Sequence, residues 1–186
     1  MSGGIGLSRI YKSDDEILRD ALGVVSWNYN PQNIATQTTT STQLIYAVGI
    51  GLRSGQVVTN ILLDVEVAGT STAPTGFYVG LASSTAMIEQ SANLAASSAL
   101  TTQAIGSFAL AAPTTITADG IYYVMILMNG AFAGTAHQLG RGSGRNKIGS
   151  VWMAATAGSG QTTLPANAAA ISLVTTNSLN YWVGVS

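Results

Sequence analysis

At 186 residues the chain fits one domain with its own hydrophobic core, since a domain of this size buries roughly 70% of the surface its unfolded chain exposes. It has no cysteine, which excludes thiol catalysis, cysteine-ligated zinc and disulfides together and suits folding in a reducing cytoplasm. Asp, Glu, Lys and Arg make up only 8% of the chain and the net charge is -1, against ~25% charged residues in an ordinary domain, so no field steers nucleic acid or an anionic membrane towards it.

The surface must then be built from Ser, Thr, Asn, Gln, Gly and Ala. That is a poor surface for a free monomer and a reasonable one for a subunit covered by neighbours. The longest apolar run, Ile121 to Met128, is far short of the ~20 residues a membrane span needs. The opening residues MSGGIGLSRIYKSDDE contain no apolar stretch of the secretory kind.

The first twenty residues hold seven of the fifteen charged side chains: Arg9, Lys12, Asp14, Asp15, Glu16, Arg19 and Asp20. Ser13-Asp14-Asp15-Glu16 reads as a capping box, with acidic residues at the positive end of the helix dipole. Ile17, Leu18, Ala21 and Leu22 recur at the spacing of one helical stripe, and Gly23 supplies a stop. A helix of about ten residues is too short to stand alone in water. Its stripe packs either on its own domain or, as a docking arm, on a partner. Ile17, Leu18 and Leu22 are the candidate docking residues, with Trp27 as an anchor just beyond them.

Asn28 to Gln43, NYNPQNIATQTTTSTQ, is polar and uncharged and reads as an extended linker or an edge segment. Residues 1–43 therefore form an expected attachment arm, and 44–186 a β domain. In the latter, strands are expected at Leu44–Ile50, Gln56–Val67, Gly76–Ala82, Met87–Ala92 (weaker), Gln103–Leu110, Pro113–Thr117, Ile121–Met128, Val151–Ala155, Ala169–Val174 and Leu179–Val185. The unbroken run IYYVMILM indicates a strand buried on both faces. Many short strands separated by Gly, Pro, Asn and Asp turns indicate a sandwich or barrel. No fixed repeat supports a β-helix.

Two stretches, YVGLASSTAMIEQSA from Tyr78 and SFALAAPTTITADGIYYVMILMN from Ser107, carry a resemblance. Together they resemble a β-sandwich module of tailed-bacteriophage virion proteins, among them tail-fibre, minor tail and head-fibre components. The likeness covers about a third of the chain and is one of pattern. It implies an all-β, jelly-roll-like antiparallel sandwich and a homotrimer. It further implies a virion location, after synthesis in the host cytoplasm, with capsid or tail and baseplate proteins as partners. The N-terminal arm fits an attachment segment ahead of a β-rich head.

Catalytic chemistry finds little material. The one histidine, His137, sits in a glycine-rich stretch and reads as a loop or interface residue; it is also the one side chain that titrates near neutrality unperturbed. No G-x-S-x-G elbow is present. Asp64 and Glu66 lie two apart in a strand pattern and share a face. They are read as that strand's solvent side, although the same geometry suits calcium or two-carboxylate sugar hydrolysis. The loop Gly140 to Lys147 carries Arg141, Arg145 and Lys147 but lacks the Gly-Lys-Ser/Thr of a P-loop. It is open to three readings: a solvated loop, a salt bridge to Asp14-Asp15-Glu16 of a neighbour, or an anion site. Trp152 and Trp182 are the candidate sugar-stacking platforms, against the commoner role of strand aromatics as core. The expectation is a non-enzymatic virion subunit without cofactor or metal. The alternative is an adhesion module for a host glycan.

Overall fold

The computed structural model describes residues 13–67, 74–130, 137–142, 147–148, 151–174 and 179–186. Beside short 3-10 turns at Pro31–Asn33 and Ser98–Leu100, one α-helix, α1 (Asp14–Ala21), precedes thirteen strands among these residues. They are β1 (Ser26–Trp27), β2 (Thr36–Thr39), β3 (Leu44–Leu52), β4 (Val57–Val67), β5 (Gly76–Ala82), β6 (Met87–Gln90) and β7 (Ala104–Thr115). Then come β8 (Gly120–Asn129), β9 (Gln138–Arg141), β10 (Lys147–Ile148), β11 (Val151–Trp152), β12 (Ala154–Ser159) and β13 (Val183–Val185). No helix among the described residues is long and apolar enough to cross a membrane.

The capping box forms as the sequence dictates. The Glu16 N–H donates to Ser13 Oγ at 3.2 Å, and the Glu16 carboxylate accepts from the Ser13 N–H at 2.8 Å. At the other end Gly23 takes φ +64°. Val24 N–H then reaches Arg19 O and Gly23 N–H reaches Asp20 O, the paired bonds of a glycine-terminated helix.

Two antiparallel sheets pack face to face. One orders its strands β12-β3-β8-β5-β6. The other runs β1-β13-β4-β9-β2, with β7 on the opposite side of β4. The core between them draws Tyr46, Val48, Ile50, Val79, Leu81, Val124 and Ile126 from the first sheet and Ile61, Leu63, Val65, Phe108, Val183 and Val185 from the second. Phe77 meets Phe108 edge to face at 5.1 Å, and Tyr46 meets Tyr181 at 5.2 Å, geometries that favour the ring quadrupoles. This is the antiparallel sandwich expected from the strand pattern.

The outer face of the first sheet is covered as well. Ile45, Ala47, Met125 and Leu127 are buried beneath Leu164, with Ile171 and Leu173 packed alongside. β3 and β8 are thus buried on both faces, β8 along Tyr123 to Met128, which is why that run lacks polar alternation. The same covering segment closes the sheet's edges. Ala86, next to β6, bridges to Ala170, and Thr156 of β12 bridges to Val174. Ala169–Val174, read from sequence as a strand, is instead this strap with two isolated bridges. Gln103–Leu110 and Pro113–Thr117, read as two strands, are the single strand β7, irregular where Asn60 and Val58 of β4 face Ala109 and Thr114.

The boundary drawn after Gln43 has no counterpart in the packing. β1 pairs with β13 in the register Trp27 to Gly184, and β2 pairs with β9 in the register Thr36 to Arg141. The polar segment therefore contributes one edge strand, β2, to the second sheet, as the edge reading of Asn28–Gln43 allowed and the linker reading did not.

Candidate functional site

The outer face of the second sheet carries a small separate core. Val24, Trp27, Leu62 and Trp182 are buried together, with Leu18, Tyr29 and Ile34 packed against them. Asn28 fixes the crossing. Its side-chain amide donates to Tyr181 O at 2.7 Å, while its Oδ1 accepts from the Val183 N–H at 3.0 Å and the Tyr29 N–H at 3.1 Å. Trp182 Nε1 donates to Tyr29 O at 2.8 Å. One asparagine and one indole thus satisfy the backbone where the N-terminal segment leaves the sheet, as buried polar groups require.

This layer corrects two expectations. Trp27 is 8% exposed and packs on its own sheet, so it offers no anchor to a partner. Trp182 is 1% exposed; neither ring face is open, and it cannot stack a sugar. Both are drawn in because β1, which carries Trp27, pairs with β13, which Trp182 immediately precedes, and Leu18 of α1 packs against the cluster they form. The side chain of Trp152 lies outside the described residues.

Helix α1 divides the remaining candidates. Leu18 turns onto the tryptophan layer, whereas Ile17 and Leu22 are 54% and 51% exposed. Ile17, Leu18 and Ala21 line a groove of about 410 Å³ with Asn30 and Gln32. On the helix's other flank a groove of about 670 Å³ gathers Glu16, Arg19, Asp20, Arg53 and Asp119. Their signs alternate. Arg19 lies 3.3 Å from Asp15, and Asp119 accepts from the Ser54 N–H at 2.8 Å.

Asp64 is a third correction. It was expected on a solvent face, yet it is 8% exposed. It does point outward from β4, but Ile34 and the close-packed backbone of Gly140 in β9 lie over it. A Cβ at Gly140 would collide with Asp64 Oδ2. That oxygen has no hydrogen-bond partner. Burial first, and then the hydrogen bond and charge of Glu66, push the Asp64 carboxyl up to about 7. Two carboxylates cannot donate to each other; one proton held on Asp64 turns the repulsion into a hydrogen bond. Among the described residues no group of three metal-ligating side chains occurs.

Of the three basic residues of the loop, only Arg141 has a described side chain. Arg141 is half-buried within the chain, and its charge acts on the hydroxyls of Tyr29 and Tyr181. Its backbone pairs with Thr36 and bridges to Tyr181. Arg145 lies outside the described residues, as does the side chain of Lys147, whose backbone forms β10. His137 is buried rather than in an open loop. Burial lowers its pKa, opposed by a hydrogen bond with the Leu100 backbone.

Asn28, Tyr29 and Gly140 escaped the sequence reading. The first two stand in a stretch whose composition looks like linker, and Gly140 in one that looks like a flexible loop. Their partners lie far along the chain and leave no local pattern. No protein-family model and no curated protein matches this chain.

Proposed function

We propose that the protein is a non-enzymatic structural subunit of a bacteriophage virion. It assembles as a surface component, of tail, baseplate, fibre or capsid-decoration type, and attaches through its N-terminal segment. The observation that carries this reading is a β-sandwich almost free of charge. Its two sheets are antiparallel, and charged residues are only 8% of the chain. A surface of that kind resists association poorly, and it fits a particle in which copies cover one another.

The attachment element narrows to the outer side of α1. Ile17 and Leu22 project from a capped helix whose Leu18 is already held by the domain. Such a helix presents two apolar side chains on a rigid base, the arrangement of helix-in-groove recognition. The resemblance across Tyr78 to Asn129 supports a trimer and a virion location. The glycan-adhesion alternative loses Trp182 and gains no other observation.

The test is direct. Antibodies against the purified chain should label the surface of purified particles at positions of fixed symmetry, and sedimentation equilibrium should return a trimer. A chain found free of particles and monomeric, or one that turns over a substrate, would refute the proposal.

A further inference from the structure

Among the described residues, β7 leaves one long sheet edge open. Edges of the first sheet are bridged by the 164–174 strap, and β1 and β2 at the far side of the second sheet have two and four residues. β7 has twelve residues and, among the described residues, pairs with β4 alone. The chain carries no charged residue between Glu89 and Asp119, so this edge lacks the lysines that ordinarily block strand addition.

The register shows which groups are free. Asn60 N–H donates to Ser186 O, and Asn60 O accepts from the Ser186 N–H, so Asn60 turns its peptide groups away from β7. Val185 O accepts from the Val25 N–H; it faces β1, so its partner Ile61 turns towards β7. Asn60 lies opposite Ala109, Leu62 opposite Ser107 and Asp64 opposite Ile105. In an antiparallel ladder both members of such a pair point their N–H and C=O groups outward. Ile105, Ser107 and Ala109 therefore present free donors and acceptors along the open edge. Their side chains are exposed on the sheet's outer face, Ile105 by 42%.

We propose that a second copy of this chain pairs with that edge, β7 against β7 and antiparallel, about a two-fold axis at Ser107. Ser107 then faces Ser107 of the other copy, and Ile105 faces Ala109. Each of these pairs exchanges both N–H···O=C bonds. The strand complements itself: its large side chain meets a small one, and no like charges oppose. A charged partner strand gains no counter-charge here and loses solvation. Pro113 and the irregularity before Thr114 end the usable edge near Leu110. Seven residues of edge bury on the order of 400 Å² per copy, against ~800 Å² in a stable complex. The pairing is therefore weak in dilute solution and gains from the crowding of an array. It is two-fold, hence additional to a three-fold assembly, and it does not rest on the virion reading.

The absence of cysteine makes the test clean. Ser107→Cys places one thiol per chain on the axis, where hydrogen-bonded neighbours stand ~5.5 Å apart, within disulfide reach. At about 100 μM under mild oxidant the Ser107→Cys chain should form disulfide dimers at least tenfold faster than a Thr163→Cys control. Amide exchange at Ile105, Ser107 and Ala109 in the wild type should slow between about 10 μM and about 1 mM, and Ser107→Lys should abolish that slowing. Equal cross-linking of the two cysteines, or exchange at these amides independent of concentration, overturns the proposal. Capture of a foreign extended peptide by a chain that fails both tests would also overturn it.

Discussion

Replacing Asp64 by Asn should change the pH dependence of the protein's stability. An aspartate carboxyl ordinarily titrates near 3.8, and burial, with the hydrogen bond and charge of Glu66, pushes Asp64 up to about 7 in the fold. The folded state therefore holds its proton where the unfolded state has released it. Stability must fall as pH rises from about 4 to about 7 and then level off. At 1.36 kcal/mol per pH unit, the full cost is at most about 4 kcal/mol. Asn keeps the shape, and its amide donates to Glu66 at every pH. Urea unfolding of both proteins between pH 4.5 and 8.5 should give similar stabilities at the acid end and an advantage of about 2–4 kcal/mol for Asn at the alkaline end. His137, whose pKa burial lowers, removes stability from both proteins as pH falls below its unfolded value, so it cancels in the difference. Parallel stability curves for the two proteins would refute the reasoning, for then the Asp64 carboxyl is as well solvated in the fold as out of it.

Other substitutions test the remaining links. Gly140→Ala should cost about 1–3 kcal/mol, as in an overpacked core, and a second change, Asp64→Ala, should recover most of it in thermal melts. Trp182→Ala should cost about 3–5 kcal/mol, lowering the urea midpoint through lost packing and the loss of its bond to Tyr29. Ser13→Ala removes the cap of α1 and should weaken the helix by about 1 kcal/mol, seen as faster amide exchange at Glu16 while the sandwich amides are unchanged. Paired Ile17→Asp and Leu22→Asp changes should leave the melting temperature within a degree or two, because both side chains are exposed, and should abolish incorporation into particles.

The sandwich was legible because burial imposes a pattern. β4 and β5 follow their sequence expectations closely, and β8 announces itself by eight unbroken apolar residues, the last six of them buried. The helix start was legible down to the reciprocal bonds of Ser13 and Glu16, since capping depends on residues three apart. Where the reading failed, the determinant was distant. Asp64 alternates like a solvent-facing residue, and it is Ile34 and Gly140, unrelated in sequence, that cover it. Trp182 could not be told from an exposed platform, because strand position does not reveal whether the outer face of a sheet carries another layer. β1 and β2 are too short and too polar to signal themselves; their pairing is decided by β13 and β9. The open edge of β7 had a visible sign in the uncharged stretch between Glu89 and Asp119, but only the register identifies the free amides.

Asn28 finds its partners 152 and 153 residues away, so the loop that must close before it binds is almost the whole chain. Closure of that kind comes late and slowly. The strands that meet through local hairpins can assemble while Trp27 and Trp182 are still in water. Indole fluorescence should then report the final step of refolding, lagging behind the growth of β-sheet circular dichroism. Until that step, the nascent chain exposes the apolar face it will later hide.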